Sequence, residues 1–358
     1  MLKTDIVVIG AGPAGLNAAI SAASMGAKVV IVERDDFVGG QLVKQTHKFF
    51  GSKEQYASIR GIDIAQILYE QIKGLNNITV QLGATVLGYF EDNAIMVEDK
   101  HGVTTIKADR YIIATGAAEK VLPFPNNDLP GIYGAGAVQT LTNVHGVLPG
   151  QRVLMVGSGN IGLIVSYQLM QAGVKVVGIV EAAPNIGGYL VHAAKIRRAG
   201  VPIYTSHTIK EAYGADAVKG AVIWRLDENW QPVEGSEKDI KADVICVAVG
   251  LTPLTELLWQ AGCKMKFIPQ LGGHVPVRDD NLMTDNPGIY VAGDVSGVEE
   301  ASAAMVEGKL AGLTAAHSLG YAKDNYDELR DAAVKQLAGL RSGPAGEKIR
   351  SGIKMLVG

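Results

Sequence analysis

The stretch DIVVIGAGPAGLNAAISAASMGAKVVIVE, running from Asp5 to Glu33, decides how the rest of the chain is read. Asp5 to Gly10 is a short apolar run suited to a buried strand, Pro13 to Met25 fits a helix, and Lys28 to Glu33 a second strand. Strand, glycine turn, helix and strand within about 30 residues make a βαβ unit, whose parallel strands expect helices on both faces. The turn itself is Gly10-Ala-Gly-Pro-Ala-Gly15. Gly10 allows the sharp bend, Gly12 lets backbone approach a pyrophosphate, and Gly15 lets helix and strand pack closely. Free N–H groups and the positive helix end then meet the anion. Pro13 loses nothing at the first helical position, where an N–H has no intrahelical use. Glu33 closes the second strand, placed to accept hydrogen bonds from ribose hydroxyls.

The pattern recurs 147 residues later, counted from Gly10 to Gly157. Arg152–Val156 reads as a strand, Gly157-Ser-Gly-Asn-Ile-Gly162 as the turn, Ile161–Gln171 as a helix and Lys175–Glu181 as the second strand. Gly157, Gly159, Asn160 and Ile161 are thus candidate nucleotide-binding positions, with Glu181 as the terminal acid. A carboxylate there suits a free 2′-hydroxyl and repels a 2′-phosphate, and no Arg or Lys lies between Glu181 and Asn185. The expectation is NAD(H) in preference to NADP(H). Arg197 and Arg198 argue the other way unless they cover a helix surface, as we read them.

Each copy is followed by an apolar strand ending in glycine, Tyr111–Gly116 and Val244–Gly250, and a third, Gly288–Asp294, comes after the second copy closes. One nucleotide domain is therefore expected inside the other: an α/β chain with two Rossmann-like dinucleotide-binding domains, and the family resemblance that the motifs carry makes the inserted one the NAD domain and the outer one the FAD domain. The divisions are 1–120, 121–252, 253–320 and a helical, basic tail at 321–358. Linker candidates are Leu122–Pro130 and Thr252-Pro253. In the tail, Leu329, Ala333, Leu337 and Leu340 follow helical spacing, and Arg341, Lys348, Arg350 and Lys354 face Glu347 alone. Docking of an acidic partner by this basic end competes with its being merely solvated.

Composition removes other classes. Hydrophobic residues are 47% and charged residues 19% of 358, ample for buried cores and too apolar for disorder. Lys plus Arg number 33 against 36 acidic residues, with no long run of one sign, which speaks against nucleic acid. Cys246 and Cys263 lack a CxxC pattern and cannot by themselves hold a zinc ion or a cubane cluster, so no metal is expected. Both are read as inert thiols. The apolar stretch Ile6–Val32 is broken by glycines, Pro13, Asn17 and Lys28, so the chain reads as soluble and cytoplasmic, without a membrane span.

Gly293-Asp294, ahead of the helix expected at Ser302–Leu313, is the third element. An Asp at such a strand end can bind a polyol or cap a helix, and the helix can aim N–H groups at a developing anion. With Gly39-Gly-Gln-Leu42 and Ala114-Thr-Gly116 added to these motifs, residues 1–320 resemble the flavoproteins with two dinucleotide-binding domains. The likeness is to the thioredoxin reductase type, of the pyridine nucleotide-disulfide reductase superfamily. The resemblance implies FAD in the first site, touched by Gly10, Gly12, Pro13, Ala14, Gly15, Glu33, Arg34, Gly40, Gln41, Thr46, Val86, Thr115, Gly116, Gly293 and Asp294. The backbone of Ser302 and Ala303 would lie near the flavin pyrimidine edge. It implies a pyridine nucleotide on the inserted domain, with Gly157, Gly159, Asn160, Ile161, Glu181 and Gly250.

The disulfide reductases of this shape carry a CxxC, and this sequence has none. Within the superfamily it is more similar to flavoprotein subunits of multi-component dehydrogenases: sarcosine oxidase α, opine and proline dehydrogenase subunits, and hydrogen cyanide synthase. Phe124–Gly131 and Asn185–Tyr189 carry that likeness. Such relatives usually add a cysteine-rich iron–sulfur segment, and two cysteines cannot supply one. Lys44-Gln-Thr-His-Lys48 is, by family position, able to run along the isoalloxazine. His47 and Lys48 are therefore the catalytic candidates, as donors stabilising negative charge on the reduced ring; a solvated loop is the competing reading.

The expected function is an FAD-dependent oxidoreductase moving a hydride between NAD(H) and flavin. Its electrons would go to or come from a ferredoxin-like iron–sulfur protein or a dehydrogenase subunit. The alternatives are an NADH oxidase or diaphorase acting on oxygen or a small quinone, and a flavoprotein subunit of an amino-acid or amine dehydrogenase. A nucleotide-loaded assembly scaffold without turnover is the non-enzyme alternative. A homodimer or hetero-oligomer is expected.

Overall fold

Ile6, Val7 and Val8 are fully buried, because strand β1 (Leu2–Ile9) has neighbours on both edges and cover on both faces. The computed structural model describes every residue except Phe50, Gly51, Ala322, Lys323, Ala345 and Gly358, and the side chain of Val357. After β1 the chain crosses by helix α1 (Pro13–Met25) to β2 (Val29–Val32), which runs parallel to β1 with Val8 opposite Ile31. On its other edge β1 pairs in parallel with Gly102–Ile113, Val8 opposite Ile112. Ile78–Gln81 extends the sheet beyond β2, while Ala94–Asp99 and Thr85–Tyr89 extend the far side as antiparallel strands.

Ile289–Val291 returns to this same sheet, parallel to Gly102–Ile113 with Tyr111 opposite Ile289. The first unit is therefore discontinuous, Met1–Ala118 with Thr252–Gly358, and the second is Glu119–Leu251. The tail belongs to the first unit. The second unit repeats the crossover with β3 (Arg152–Val156), α2 (Asn160–Gln171) and β4 (Lys175–Glu181). Its five-stranded sheet, ordered Ile203–Thr205, β4, β3, Val244–Val247, Ile132–Gly134, is parallel throughout. A three-stranded antiparallel sheet of His207–Gly214, Val218–Arg225 and Lys238–Lys241 completes it.

The expected α/β class with two Rossmann-like halves is thus what the chain forms, and the differences are local. The strand expected at Tyr111–Gly116 ends at Ile113. Gly116 turns away at φ 76° and its carbonyl accepts from the Leu254 N–H at 3.0 Å. The helix expected at Ser302–Leu313 is longer, α3 (Ala301–His317), because Thr314, Ala315 and Ala316 are still buried. The tail helix is α4 (Tyr326–Leu340), packed through Ala333 and Leu337. The basic end after it is itself a helix, α5 (Glu347–Val357), whose Ile349, Ile353 and Leu356 cover Ile268, Leu271 and Val275.

α1 is buried by α3 at close range. A Cβ on Gly308 would stand 2.0 Å from the Ala14 carbonyl oxygen, and one on Gly312 2.2 Å from that of Ala18. Two small-residue faces are what let these helices meet backbone to backbone. Gly308→Ala should cost about 1–3 kcal/mol by overpacking. Gly339→Ala, on α4 with nothing within 4 Å of the added methyl, should gain up to about 1 kcal/mol. Urea midpoints of the two variants should move in opposite directions.

Candidate functional site

In the first turn Gly10 sits at φ 103° and donates its N–H to the Val32 carbonyl at 2.9 Å. A Cβ there would be 2.4 Å from the Ala114 carbonyl oxygen. Gly12 precedes α1, and the N-terminal N–H groups of that helix have no intrahelical acceptor. Gly40 closes against Gly12, where a Cβ on Gly40 would be 2.9 Å from the Gly12 Cα. The Gly39 N–H donates to the Ala11 carbonyl at 2.8 Å, which ties this second glycine pair to the turn. Glu33 is buried, and its two oxygens are already engaged. Oε2 accepts from the Ala11 N–H at 2.6 Å and Oε1 from the Asp35 N–H at 3.0 Å. The carboxylate is oriented before any ligand arrives, and it has further lone pairs to offer.

The second unit repeats this piece by piece. Gly157 has φ 109°, and a Cβ on it would be 2.3 Å from the Ala248 carbonyl oxygen. Glu181 Oε2 accepts from the Ser158 N–H at 2.9 Å and from its hydroxyl at 2.7 Å, while Oε1 accepts from the Ala183 N–H at 2.9 Å. Gly188 donates its N–H to the Ser158 carbonyl at 2.9 Å. A Cβ on Gly188 would be 2.8 Å from the Asn160 nitrogen, and Asn160 Oδ1 accepts from the Tyr189 N–H at 2.9 Å. Sequence reasoning named the two acids but not their fasteners, nor Gly187-Gly188 as the counterpart of Gly39-Gly40. The signal was present: Val38-Gly-Gly-Gln-Leu-Val43 and Ile186-Gly-Gly-Tyr-Leu-Val191 stand at the same spacing as Glu33 and Glu181.

The third element meets the first turn, since a Cβ on Gly293 would be 2.9 Å from that of Ala14. Gly293 donates its N–H to Glu307 Oε2 at 2.9 Å, and Glu307 is buried in α3. Asp294 Oδ1 accepts from the Glu299 N–H at 3.3 Å. Burial pushes the Asp294 carboxyl up to about 7, with Glu307, Glu299 and Glu300 adding to the rise. Ser302 and Ala303 begin α3.

Other expected positions lie apart from these contacts. Arg34 points to solvent, its Nε 3.8 Å from Asp35 Oδ1, and Gln41 and Lys48 are exposed. Thr46 is half-buried, and Val86 packs on the core beneath Thr85–Tyr89. Thr115 donates its hydroxyl to the Leu254 carbonyl at 2.7 Å. His47 stacks on Phe49 with centroids 6.0 Å apart. Ile161 is exposed, and Gly250 lies beside the Lys120 side chain. Both cysteines are buried, and burial raises both thiols. Of the basic tail residues, Lys348 and Lys354 are exposed, while the two arginines are engaged within the chain. Arg341 is paired internally with Glu299 and Glu307, and Arg350 donates to the carbonyls of Arg341 and Gly343. Among the described residues no cluster of His, Cys, Asp or Glu could hold a metal ion, and no helix is long and apolar enough to cross a membrane.

Residues 4–308 match the pyridine nucleotide-disulphide oxidoreductases. The chain is similar to an opine oxidase subunit of Agrobacterium tumefaciens, 29% identical over 87% of this chain and 65% of that protein. It is also similar to a hydrogen cyanide synthase subunit of Pseudomonas protegens, 26% identical over 87% of this chain and 70% of that one. Its fold resembles thioredoxin reductase of T. acidophilum, with TM-score 0.74 and 25% identity, covering 89% of this chain and 99% of that chain. The chain therefore spans about two thirds of the opine oxidase protein it matches.

Asp294 gives a direct electrostatic test. Its folded carboxyl titrates near 7, above the ordinary value of about 4. The stability it contributes is thus complete only below about pH 4, where both states hold the proton, and is lost progressively as pH rises from there to about 7. Cofactor-free Asp294→Asn should melt a few degrees above the parent protein at pH 8, and beside it near pH 3.5. Melting curves at the two pH values check this.

Proposed function

The chain belongs to the pyridine nucleotide-disulphide oxidoreductases, and on that premise we propose that it is an FAD-dependent oxidoreductase moving a hydride between NAD(H) and flavin. The family implies FAD and a pyridine nucleotide. The first unit would hold FAD and the second NAD(H). One observation carries the assignment: Glu33 and Glu181 are fastened in the same way, each by the N–H after the first glycine and by the N–H two residues onward.

The residues present fit an adenine dinucleotide. A side chain at Gly10 or Gly40 would collide with backbone, so both positions keep the turn open for a phosphate group. The unpaired N–H groups of α1 would receive the pyrophosphate. Glu33 would accept from ribose hydroxyls with its remaining lone pairs, and Asp294 would hold a polyol hydroxyl. Flavin, when bound, supplies an acceptor for hydride and can release its electrons singly. Glu181 disfavours a 2′-phosphate, and this supports NAD(H) over NADP(H). His47 and Lys48 remain the candidates for donors toward the reduced ring.

Without a paired thiol, electrons would leave for a separate partner, a ferredoxin-like iron–sulfur protein in our reading. A second reading is favoured by the relatives' names, since both are subunits. On it the chain is the flavoprotein subunit of an amine- or amino-acid-oxidising hetero-oligomer. Anaerobic NADH should bleach the bound flavin, and NADPH should do so much more slowly. Glu181→Gln should narrow that difference by roughly tenfold, the worth of one charged hydrogen bond. Stopped-flow absorbance checks both. Peroxide formed by the chain alone at the rate of NADH loss would instead make it an oxidase.

A further inference from the structure

Behind Asp294 lies a buried network of charges that draws one member from the tail. Glu307 Oε1 accepts from Arg278 Nη2 at 3.1 Å and from Arg341 Nη2 at 2.5 Å, while its Oε2 holds the Gly293 N–H. Arg341 Nε donates to Glu299 at 2.8 and 3.2 Å. The Glu299 N–H in turn donates to Asp294. The side chains of Arg278, Glu307, Glu299 and Arg341 are only 7%, 4%, 9% and 14% exposed. Each end of the loop from Gly293 to Glu300 is thus tied, through a carboxylate, to the same guanidinium.

The tail is also anchored. α5 seats Leu356 on Leu271, and the Leu271 carbonyl accepts from the Val298 N–H at 3.0 Å inside that loop. Lys266 Nζ donates to the Met355 and Leu356 carbonyls, at 2.9 and 3.1 Å. The family match ends at residue 308, so Arg341 lies beyond it while pairing with Glu299 and Glu307 inside it.

We propose that Arg341 is a positioning residue for FAD, a brace from the tail that neutralises Glu299 and Glu307 and so sets the loop presenting Asp294. Arg278 and Arg341 face Glu299 and Glu307, and Asp294 beside them meets the charges of Glu307, Glu299 and Glu300. Removing Arg341 leaves three buried carboxylates against one cation, an arrangement that burial penalises steeply. The loop relieves it by opening, or Asp294 by keeping its proton; either change degrades the flavin site. FAD retention and docking of the tail are therefore coupled, and each strengthens the other. The inference rests on the assignment of FAD to the first unit.

The test compares FAD affinity and the visible flavin spectrum in the full-length chain and in R341K, R341Q, E299Q and R341Q/E299Q. R341Q should weaken FAD on the order of tenfold or more and shift the flavin bands. R341K should recover part of the affinity. R341Q/E299Q should recover more than R341Q alone, because it restores charge balance around the Arg278–Glu307 pair. Should R341Q not fold, R341K and the double variant carry the comparison. Parental affinity and spectrum in R341Q, or a double variant no better than R341Q, would overturn the brace while leaving the FAD assignment intact. Failure of the parent chain to bind FAD would overturn the assignment itself, and the brace with it.

Discussion

A single hydrogen-bonded fastener organises both halves of this molecule. In each, the carboxylate that closes the second strand accepts the N–H following the first glycine, so the turn is tied to the strand one crossover away. Burial of Glu33 makes its tie strong, since a carboxylate removed from water must find donors, and in both units each carboxylate oxygen does. The same acid that stabilises the turn is the one we propose to recognise a ribose, so that structure and recognition would share one group.

The rest follows from what that turn needs. It needs a strand end at close range, supplied by Ala114 in one unit and Ala248 in the other. It needs cover for the helix it starts, which α3 provides to α1 through Gly308 and Gly312. The price is a concentration of buried acids at the start of α3, where Asp294, Glu299 and Glu307 converge, and two arginines offset it. Thiol chemistry has no comparable support, because Cys246 and Cys263 are buried and raised.

Much of this was legible in the sequence. Ile6–Ile9 and Val153–Val156 are unbroken apolar runs, and each glycine turn follows its strand at once, so both crossovers could be placed to within a residue or two. The return of Ile289–Val291 to the first sheet followed from its composition and order. The antiparallel sheet from His207 to Lys241 was not legible, because alternation there is interrupted by register shifts near Ile209 and Tyr213. α5 was hidden by its charges: four residues apart, Ile349 and Ile353 are a thin stripe among Lys348, Arg350 and Lys354. The role of Arg341 could not be read locally, since its partners lie 34 and 42 residues away.

Calorimetric titration of the full chain with FAD and with ADP-ribose tests the twin-fastener account most directly. Glu33→Gln should weaken FAD and spare ADP-ribose, and Glu181→Gln should do the reverse, each carboxylate governing its own ligand. If either substitution removes both ligands, or neither substitution affects any, the two acids are not independent nucleotide clasps and the account is wrong.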